Sequence, residues 1–251
     1  MSGDLETRVE ERFGRFGLAA SNSQIEQLAT YFGLLAKWNK TVNLTAFSLE
    51  HPSDKALDRL LVEPFLAARF VARKGTDEND WNDENDENER ERTGTTGSPD
   101  TDSPGPASLL DVGSGGGSPA IPLAIALPAF RLTMVESRAR KSAFLREAAR
   151  QVGLEGAKVL NTRLETLVAT AWMEQSADLI SVRALRADPA LWAVLSEFAK
   201  PGARVMWFRT GTGAAPVALA AGLQLEGVEP LIPADASELA ILRKLFHVEQ
   251  A

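Results

Sequence analysis

The chain of 251 residues has no cysteine. That excludes disulfides, thiolate metal ligands, iron–sulfur clusters and a cysteine nucleophile. Histidine is almost as scarce, with only His51 and His247. A histidine-rich metal centre or a Ser–His–Asp triad fits such a composition poorly, and no metal is expected. No run reaches 18 uninterrupted apolar residues, so no membrane-spanning helix is expected. Residues 1–11 are polar and lack the apolar core of a secretory leader. The expectation is a soluble, cytoplasmic protein acting as a monomer.

Positive charge is also short, but only in one place. The formal net charge is −7. Residues 73–106 carry 11 of the 34 acidic side chains and four of the 27 basic ones, Arg73, Lys74, Arg90 and Arg92. The remainder is balanced, so a nucleic-acid partner is not excluded. The same segment is rich in Asp, Glu, Asn, Gly, Ser and Pro, and Trp81 is its one large apolar residue. It has too little apolar surface to offset its ordering entropy and reads as a disordered insertion. The chain is therefore divided into a helical part (1–72), an acidic insertion (73–107) and a second domain (108–251).

What is present in the first part is helical periodicity. Ser23 and Glu26 fit a capping box, and Ile25, Leu28, Phe32 and Leu35 follow at helical spacing. This helix is expected to end near Trp38 and Asn39. A second helix starts at Pro52-Ser53-Asp54, with Leu57, Leu60 and Leu61 on one face. Pro64 is expected to kink or interrupt it.

The second domain alternates. Strands are expected at 108–112, 131–136, 157–160, 178–182 and 204–208, with helices at 121–127, 141–152 and 189–199, and segment 214–221 follows. Segments 224–228 and 239–246 are expected to pair as an antiparallel end. Lys200-Pro-Gly202 reads as a sharp turn between helix and strand. The alternation predicts a doubly wound, mostly parallel Rossmann-like α/β sheet.

Asp111-Val-Gly113-Ser-Gly115-Gly116-Gly117 follows the first strand and precedes a helix. Ligands in such sheets bind beyond the carboxyl ends of the strands, so this turn is a candidate cofactor cradle. The dinucleotide pattern G-x-G-x-x-G fails at Ser118 when started from Gly113. Asp111 would repel a pyrophosphate but suits the ammonium and sulfonium of S-adenosylmethionine. Glu136, at the end of the second strand, is placed to accept ribose hydroxyls. Arg163, Leu164 and Glu165 follow the third strand, over the adenine region. Arg183 ends the fourth strand, where its fork is a candidate to orient a base or phosphate. The lack of cysteine excludes covalent cytosine C5 methylation, and no Asn-Pro-Pro-Tyr pattern is present for adenine amino methylation.

Several separated pieces, in order, resemble the bacterial 16S ribosomal RNA guanine-N7 methyltransferases known as the glucose-inhibited division protein B (GidB) family. Lys37-Trp-Asn-Lys40 with Asn43-Leu-Thr-Ala46 resembles W-N-K-x-x-N-L-T-A. Leu110-Asp-Val-Gly-Ser-Gly115, with Pro119 and Ile121-Pro-Leu-Ala124, resembles the family's glycine loop. Glu136-Ser137, Arg140-Lys141 and Phe144-Leu145 resemble D-S-x-x-K-R-x-x-F-L. Arg163-Leu-Glu165 resembles R-x-E, Val182-Arg183-Ala184 resembles S-R-A, and Lys200-Pro-Gly202 matches an L-K-P-G turn in part. This sequence departs from the family with Ser118 for a large apolar residue, Ala120 for glycine and Glu136 for aspartate. It also has Val182 for serine and Arg59-Leu-Leu-Val-Glu63-Pro64-Phe65 for R-H-F-L-D-S-L.

The resemblance implies a class I S-adenosylmethionine-dependent methyltransferase acting on small-subunit ribosomal RNA. Asp111, Gly113, Gly115, Gly117, Ser118, Glu136, Leu164, Glu165 and Arg183 would bind the donor. Gly113 would lie under its methionine end, Ser118 beside it, and Leu164 and Glu165 would flank the adenine. Arg183 would line the reaction side and is the candidate catalytic residue. Lys37, Lys40, Asn43, Arg59, Arg138, Arg140 and Lys141 are candidate RNA contacts. A small-molecule methyltransferase and a non-enzymatic RNA-binding assembly factor are the alternatives.

Overall fold

The computed structural model describes residues 2–72, 106–169, 175–185, 189–211 and 222–246. The acidic segment and segment 214–221 lie outside the described residues.

The first helix, α1 (Ser2–Arg15), falls where the sequence reads as merely polar. Its apolar residues form one narrow column, with Val9 and Phe13 buried and Leu5 packed beside them. One column suffices because a bundle covers it, and Phe13 meets Phe65 with ring centroids 4.8 Å apart.

In α2 (Asn22–Asn39) the capping box begins two residues earlier than expected. Ser21 Oγ accepts the Gln24 N–H at 3.2 Å and Gln24 Oε1 accepts the Ser21 N–H at 3.0 Å. Ser23 lies inside the helix. The tertiary structure selects Gln24, whose amide nitrogen also donates to the Ile125 carbonyl at 2.9 Å.

Next comes α3 (Asp54–Leu57), then a π-helical turn (Asp58–Val62), then α4 (Glu63–Ala72). Pro64 does not break this run. The distortion precedes it as the wide turn, and Pro64 sits in the first turn of α4, where a missing N–H is tolerated.

Among the described residues seven strands form one sheet: β1 (Ala107–Val112), β2 (Phe130–Val135), β3 (Lys158–Leu160), β4 (Ala177–Arg183), β5 (Ala199–Thr210), β6 (Leu223–Ile232) and β7 (Ser237–Lys244). Their order is 3-2-1-4-5-7-6. The first five are parallel, and β7 runs antiparallel to both neighbours. The expected parallel sheet with an antiparallel end is therefore the observed one. One local expectation is corrected. Lys200-Pro-Gly202 is not a turn before the strand, because β5 already starts at Ala199. It is an irregularity within β5, with Gly202 at φ +80 and a register shift against β4. A left-handed glycine lets the chain bulge and remain in the sheet.

Helices α5 (Ala120–Ala126) and α6 (Ala139–Gln151) cover one face together with α1 to α4. Helices α7 (Leu164–Ala169) and α8 (Pro189–Phe198) cover the other. Successive β1 residues alternate between the two cores, Leu109 to the first and Leu110 to the second. The N-terminal helices thus share their core with the sheet. Among the described residues no helix is long and apolar enough to cross a membrane.

Candidate active site

The carboxyl ends of the parallel strands open into a cleft of about 1490 Å³. β1 lies between β2 and β4, so the connections leave it on opposite sides and the sheet opens there. At one end the cleft is lined by the loop after β1, by Glu136 to Arg138 and by Arg163 to Glu165. At the other it is lined by Arg59, Leu60, Arg183 and the β5 residues Trp207 to Thr210.

The glycine loop is held from below and behind. Gly113 and Ser114 donate their backbone N–H groups to the Val135 carbonyl at 3.0 and 3.1 Å. Gly115 donates its N–H to Glu136 Oε2 at 3.0 Å, and Arg138 N–H goes to Glu136 Oε1 at 2.8 Å. Glu136 therefore ties the first loop to the end of β2. Each of its oxygens keeps a lone pair for a further donor. Asn161, a residue without a sequence signal, donates to the Glu136 and Ser137 carbonyls at 3.0 Å each and fixes that turn.

The loop's far side meets the N-terminal helices. A Cβ on Gly116 would lie 2.9 Å from the Leu44 carbonyl oxygen, so only glycine fits this backbone approach. Leu44 is placed by Asn39, whose Oδ1 accepts the N–H groups of Leu44 and Thr45 at 2.8 and 3.0 Å. Trp38 packs on Phe144 of α6 at 5.8 Å between centroids. The W-N-K and N-L-T pieces are thus a strap behind the cofactor loop. Tyr31, which the sequence reading missed, donates from its hydroxyl to the Gly116 carbonyl at 2.7 Å. Burial raises its pKa, so it stays protonated.

Two residues expected to touch the cofactor lie behind the wall instead. A Cβ on Gly117 would meet Ile121, Tyr31 and Leu145, so this glycine faces the core. Asp111 is buried, and its Oδ1 accepts the Ser181 hydroxyl at 2.5 Å. Its Oδ2 has no partner among the described residues. Burial lifts Asp111 to about 6, while the Ser181 and Ser114 hydroxyls and the Arg183 charge pull it down. Gly113, Gly115, Ser118, Glu136, Leu164, Glu165 and Arg183 do line the cleft.

Arg183 sits in a socket made by distant segments. Its Nη1 donates to the Arg59 carbonyl at 2.5 Å and to Ser118 Oγ at 3.2 Å. Its Nη2 pairs with Glu63 Oε2 at 2.7 Å. The guanidinium lies over the Phe208 ring, 4.6 Å from its centroid. Its Nε is buried without a partner among the described residues. Asp178, on the same strand, pairs with Lys200. Burial pushes Arg183 down to about 10 while Glu63 holds it up, so it is charged at neutral pH.

The socket explains the π-turn. In an α-helix the Arg59 carbonyl would accept the Glu63 N–H, but that N–H goes to Asp58. The Leu60 carbonyl would accept an N–H from residue 64, which proline lacks. Arg183 takes the first freed carbonyl, and the Ser118 hydroxyl donates to the second at 2.9 Å. Two departures from the family pattern, Pro64 and Ser118, therefore fit each other.

The expected RNA contacts separate into two groups. Arg59, Arg138 and Lys141 line the cleft. Arg59 is also held by Glu63 Oε1 at 2.8 Å. Lys37, Lys40, Asn43 and Arg140 are exposed and do not line it. Among the described residues no cluster of metal-ligating side chains is found.

Strand order, antiparallel β7 and a glycine-loop cleft at the switch point define a class I S-adenosylmethionine-dependent methyltransferase. The chain belongs to the GidB family, described as rRNA small subunit methyltransferase G, whose model matches residues 99–220. It is 32% identical to the ribosomal RNA small subunit methyltransferase G of Acidovorax sp. (strain JS42), covering 98% of this chain and 88% of that one. It is 30% identical to the protein of the same name from Stenotrophomonas maltophilia (strain R551-3), covering 95% and 93%. A solved 16S rRNA (adenine(1408)-N(1))-methyltransferase from Catenulisporales acidiphilia shares 19% identity at a TM-score of 0.44, over 57% of this chain and 87% of that chain.

Proposed function

We propose that this chain transfers a methyl group from S-adenosylmethionine to nitrogen-7 of a guanine in 16S ribosomal RNA. The observation that carries the reading is a cleft with two unlike ends, a backbone-built cradle and a charged guanidinium at the opposite side. Family membership supplies the RNA and the donor.

The cradle suits the donor. Above Gly115 the nearest obstacle to a Cβ is its own loop's Gly113 carbonyl at 3.7 Å, so the loop presents bare backbone. Leu164 offers an apolar surface for the adenine and Glu136 free lone pairs for ribose hydroxyls. Asp111 acts from beneath by its negative field rather than by contact. S-adenosylmethionine brings an electrophilic methyl group on a sulfonium.

The chain's task is then positioning. Nitrogen-7 already carries a lone pair, so no residue has to remove a proton. A site without histidine or cysteine suits this, because orientation and exclusion of water can supply the acceleration. Arg183 is the residue proposed to face the target base, with a fixed charge. Nitrogen-7 faces the major groove, deep and narrow in A-form RNA, so the target guanine is proposed to be in a loop or splayed out. Arg138 and Lys141 at the cleft, with Arg59, are proposed phosphate contacts, joined on the outer surface by Lys37, Lys40, Asn43 and Arg140. Residues 1–72 are proposed as the substrate platform, with the acidic segment a separate insertion, in a soluble cytoplasmic monomer.

The test is tritiated methyl transfer to small-subunit RNA from cells lacking this gene, with the modified nucleoside identified by mass spectrometry. The expected product is 7-methylguanosine at one loop position. Donor binding without transfer to free RNA or small subunits, together with methylation of a metabolite, would overturn the reading.

A further inference from the structure

Arg183 reaches the cleft from β4, but what orients it comes from elsewhere. Its partners are the Arg59 carbonyl, the Ser118 hydroxyl and the Glu63 carboxylate, more than 60 residues away in every case. Glu63 is fully buried. It serves two guanidinium groups at once, Arg59 through Oε1 and Arg183 through Oε2. A shared carboxylate of this kind fixes both forks, since each charge-assisted bond is directional. Ser118 has one hydroxyl proton, and the Leu60 carbonyl takes it. Its lone pair is thereby turned toward Arg183 Nη1. Phe208 closes one face of the guanidinium. Of its five N–H bonds, three go to these acceptors, and Nε has no partner among the described residues.

We propose that Glu63 and Ser118 are positioning residues of the methyl transfer: from a socket opened by the π-turn at 58–62, they hold Arg183 in one orientation. Neither is placed to take part in bond making. Glu63 is spent on two arginines, and the Ser118 proton is spent on Leu60. Their effect passes through Arg183, so their loss lowers turnover rather than donor affinity. The inference rests on the proposed role of Arg183 in the transfer, but the orientation of Arg183 can be read without any substrate.

The experiment uses the full-length protein with Glu63→Gln, Glu63→Asp and Ser118→Ala. Hydrogen exchange at the Arg183 Nε–H, assigned by its absence in Arg183→Lys, reports the clamp directly. Glu63→Gln is expected to speed that exchange at least about tenfold, Ser118→Ala by a smaller factor, and Glu63→Asp to restore part of the protection. With small-subunit RNA, kcat is expected to fall about tenfold or more in Glu63→Gln while the dissociation constant for S-adenosylmethionine changes less than about twofold. If Glu63→Gln does not fold, Ser118→Ala, which removes a single oxygen, carries the same comparison. Unchanged Nε–H exchange in the variants overturns the inference, whatever the activity. So does faster exchange with unaltered kcat. A wild-type protein that transfers no methyl to RNA, yet shows the exchange pattern, would instead count against the proposed function and leave the clamp standing.

Discussion

The two ends of the cleft are built by opposite means. At the proposed donor end, the contacts are made largely by backbone. Gly113, Ser114 and Gly115 are tied through their N–H groups to Val135 and Glu136, and Gly116 lies against the Leu44 carbonyl. At the Arg183 end, the Glu63 carboxylate from α4, the Ser118 hydroxyl from the β1 loop and the Phe208 ring from β5 surround the guanidinium that β4 supplies. Backbone-built sites tolerate changes of side chain but not added volume. Side-chain-built sites tolerate small changes of volume but not loss of one charge. Substitutions at the two ends should therefore fail in different ways.

The largest effect is expected at the side-chain end. Arg183→Ala should lower methyl transfer by about a hundredfold to a thousandfold, the usual cost of removing one placed electrostatic donor. Donor affinity by calorimetry should stay within a few-fold. Equal losses in both would erase the distinction between the two ends.

Gly116→Ala is the counterpart at the backbone end. Its Cβ would press on the Leu44 carbonyl oxygen at 2.9 Å, against backbone that Asn39 holds in place. Destabilisation of about 1–3 kcal/mol is expected from such overpacking. Donor affinity should fall together with the denaturation midpoint. A stable Gly116→Ala protein that binds the donor normally would show that the strap is not rigid.

Asp111 sharpens the comparison through pH. Its carboxyl is raised to about 6 in the folded state by burial, from an ordinary value near 4. Below about pH 4 both folded and unfolded chains carry the proton. Between about 4 and 6 the folded chain keeps a proton that the unfolded chain releases. Stability from this group therefore falls as pH rises through that window, by on the order of 2–3 kcal/mol, and is level above it. Asp111→Asn should flatten this slope in urea titrations at pH 4 to 7. A slope unchanged by the substitution would mean that other groups carry it.

Asn39→Ala removes the acceptor for two backbone N–H groups of the strap. A loss of about 1–3 kcal/mol is expected, with faster amide exchange at Leu44 and Thr45 as the specific sign. The smallest effect is expected on the rim. Lys141→Ala should weaken RNA binding only a few-fold and lower the salt slope of log affinity by about one. A loss independent of salt would remove Lys141 from the phosphate contacts.

The contrast also explains what could be read from the chain alone. Asp111 to Gly117, Glu136 and Leu164 lie at strand ends that periodicity locates, so most of the glycine-loop end of the cleft was legible. Even there Gly117 and Asp111 turned out to face inward, because strand position gives proximity to a cleft but not the direction of a side chain. Tyr31 and Asn161 left no signal, since one buried hydroxyl or amide has no pattern around it. Glu63 looked like a mere departure from a motif, and only the fold brought its carboxylate to Arg183.

The sequence by itself determined the alternating α/β order, the glycine loop and its place after β1, because these follow from local periodicity and the conformational freedom of glycine. The tertiary structure alone decided the N-cap of α2, the wide turn at 58–62 and the socket of Arg183. Each of these depends on partners distant in sequence. The freed carbonyls of Arg59 and Leu60 are satisfied only because folding brings Arg183 and Ser118 to them. Buried polar groups must be paired, and where the pairing crosses the chain, no local pattern can announce it.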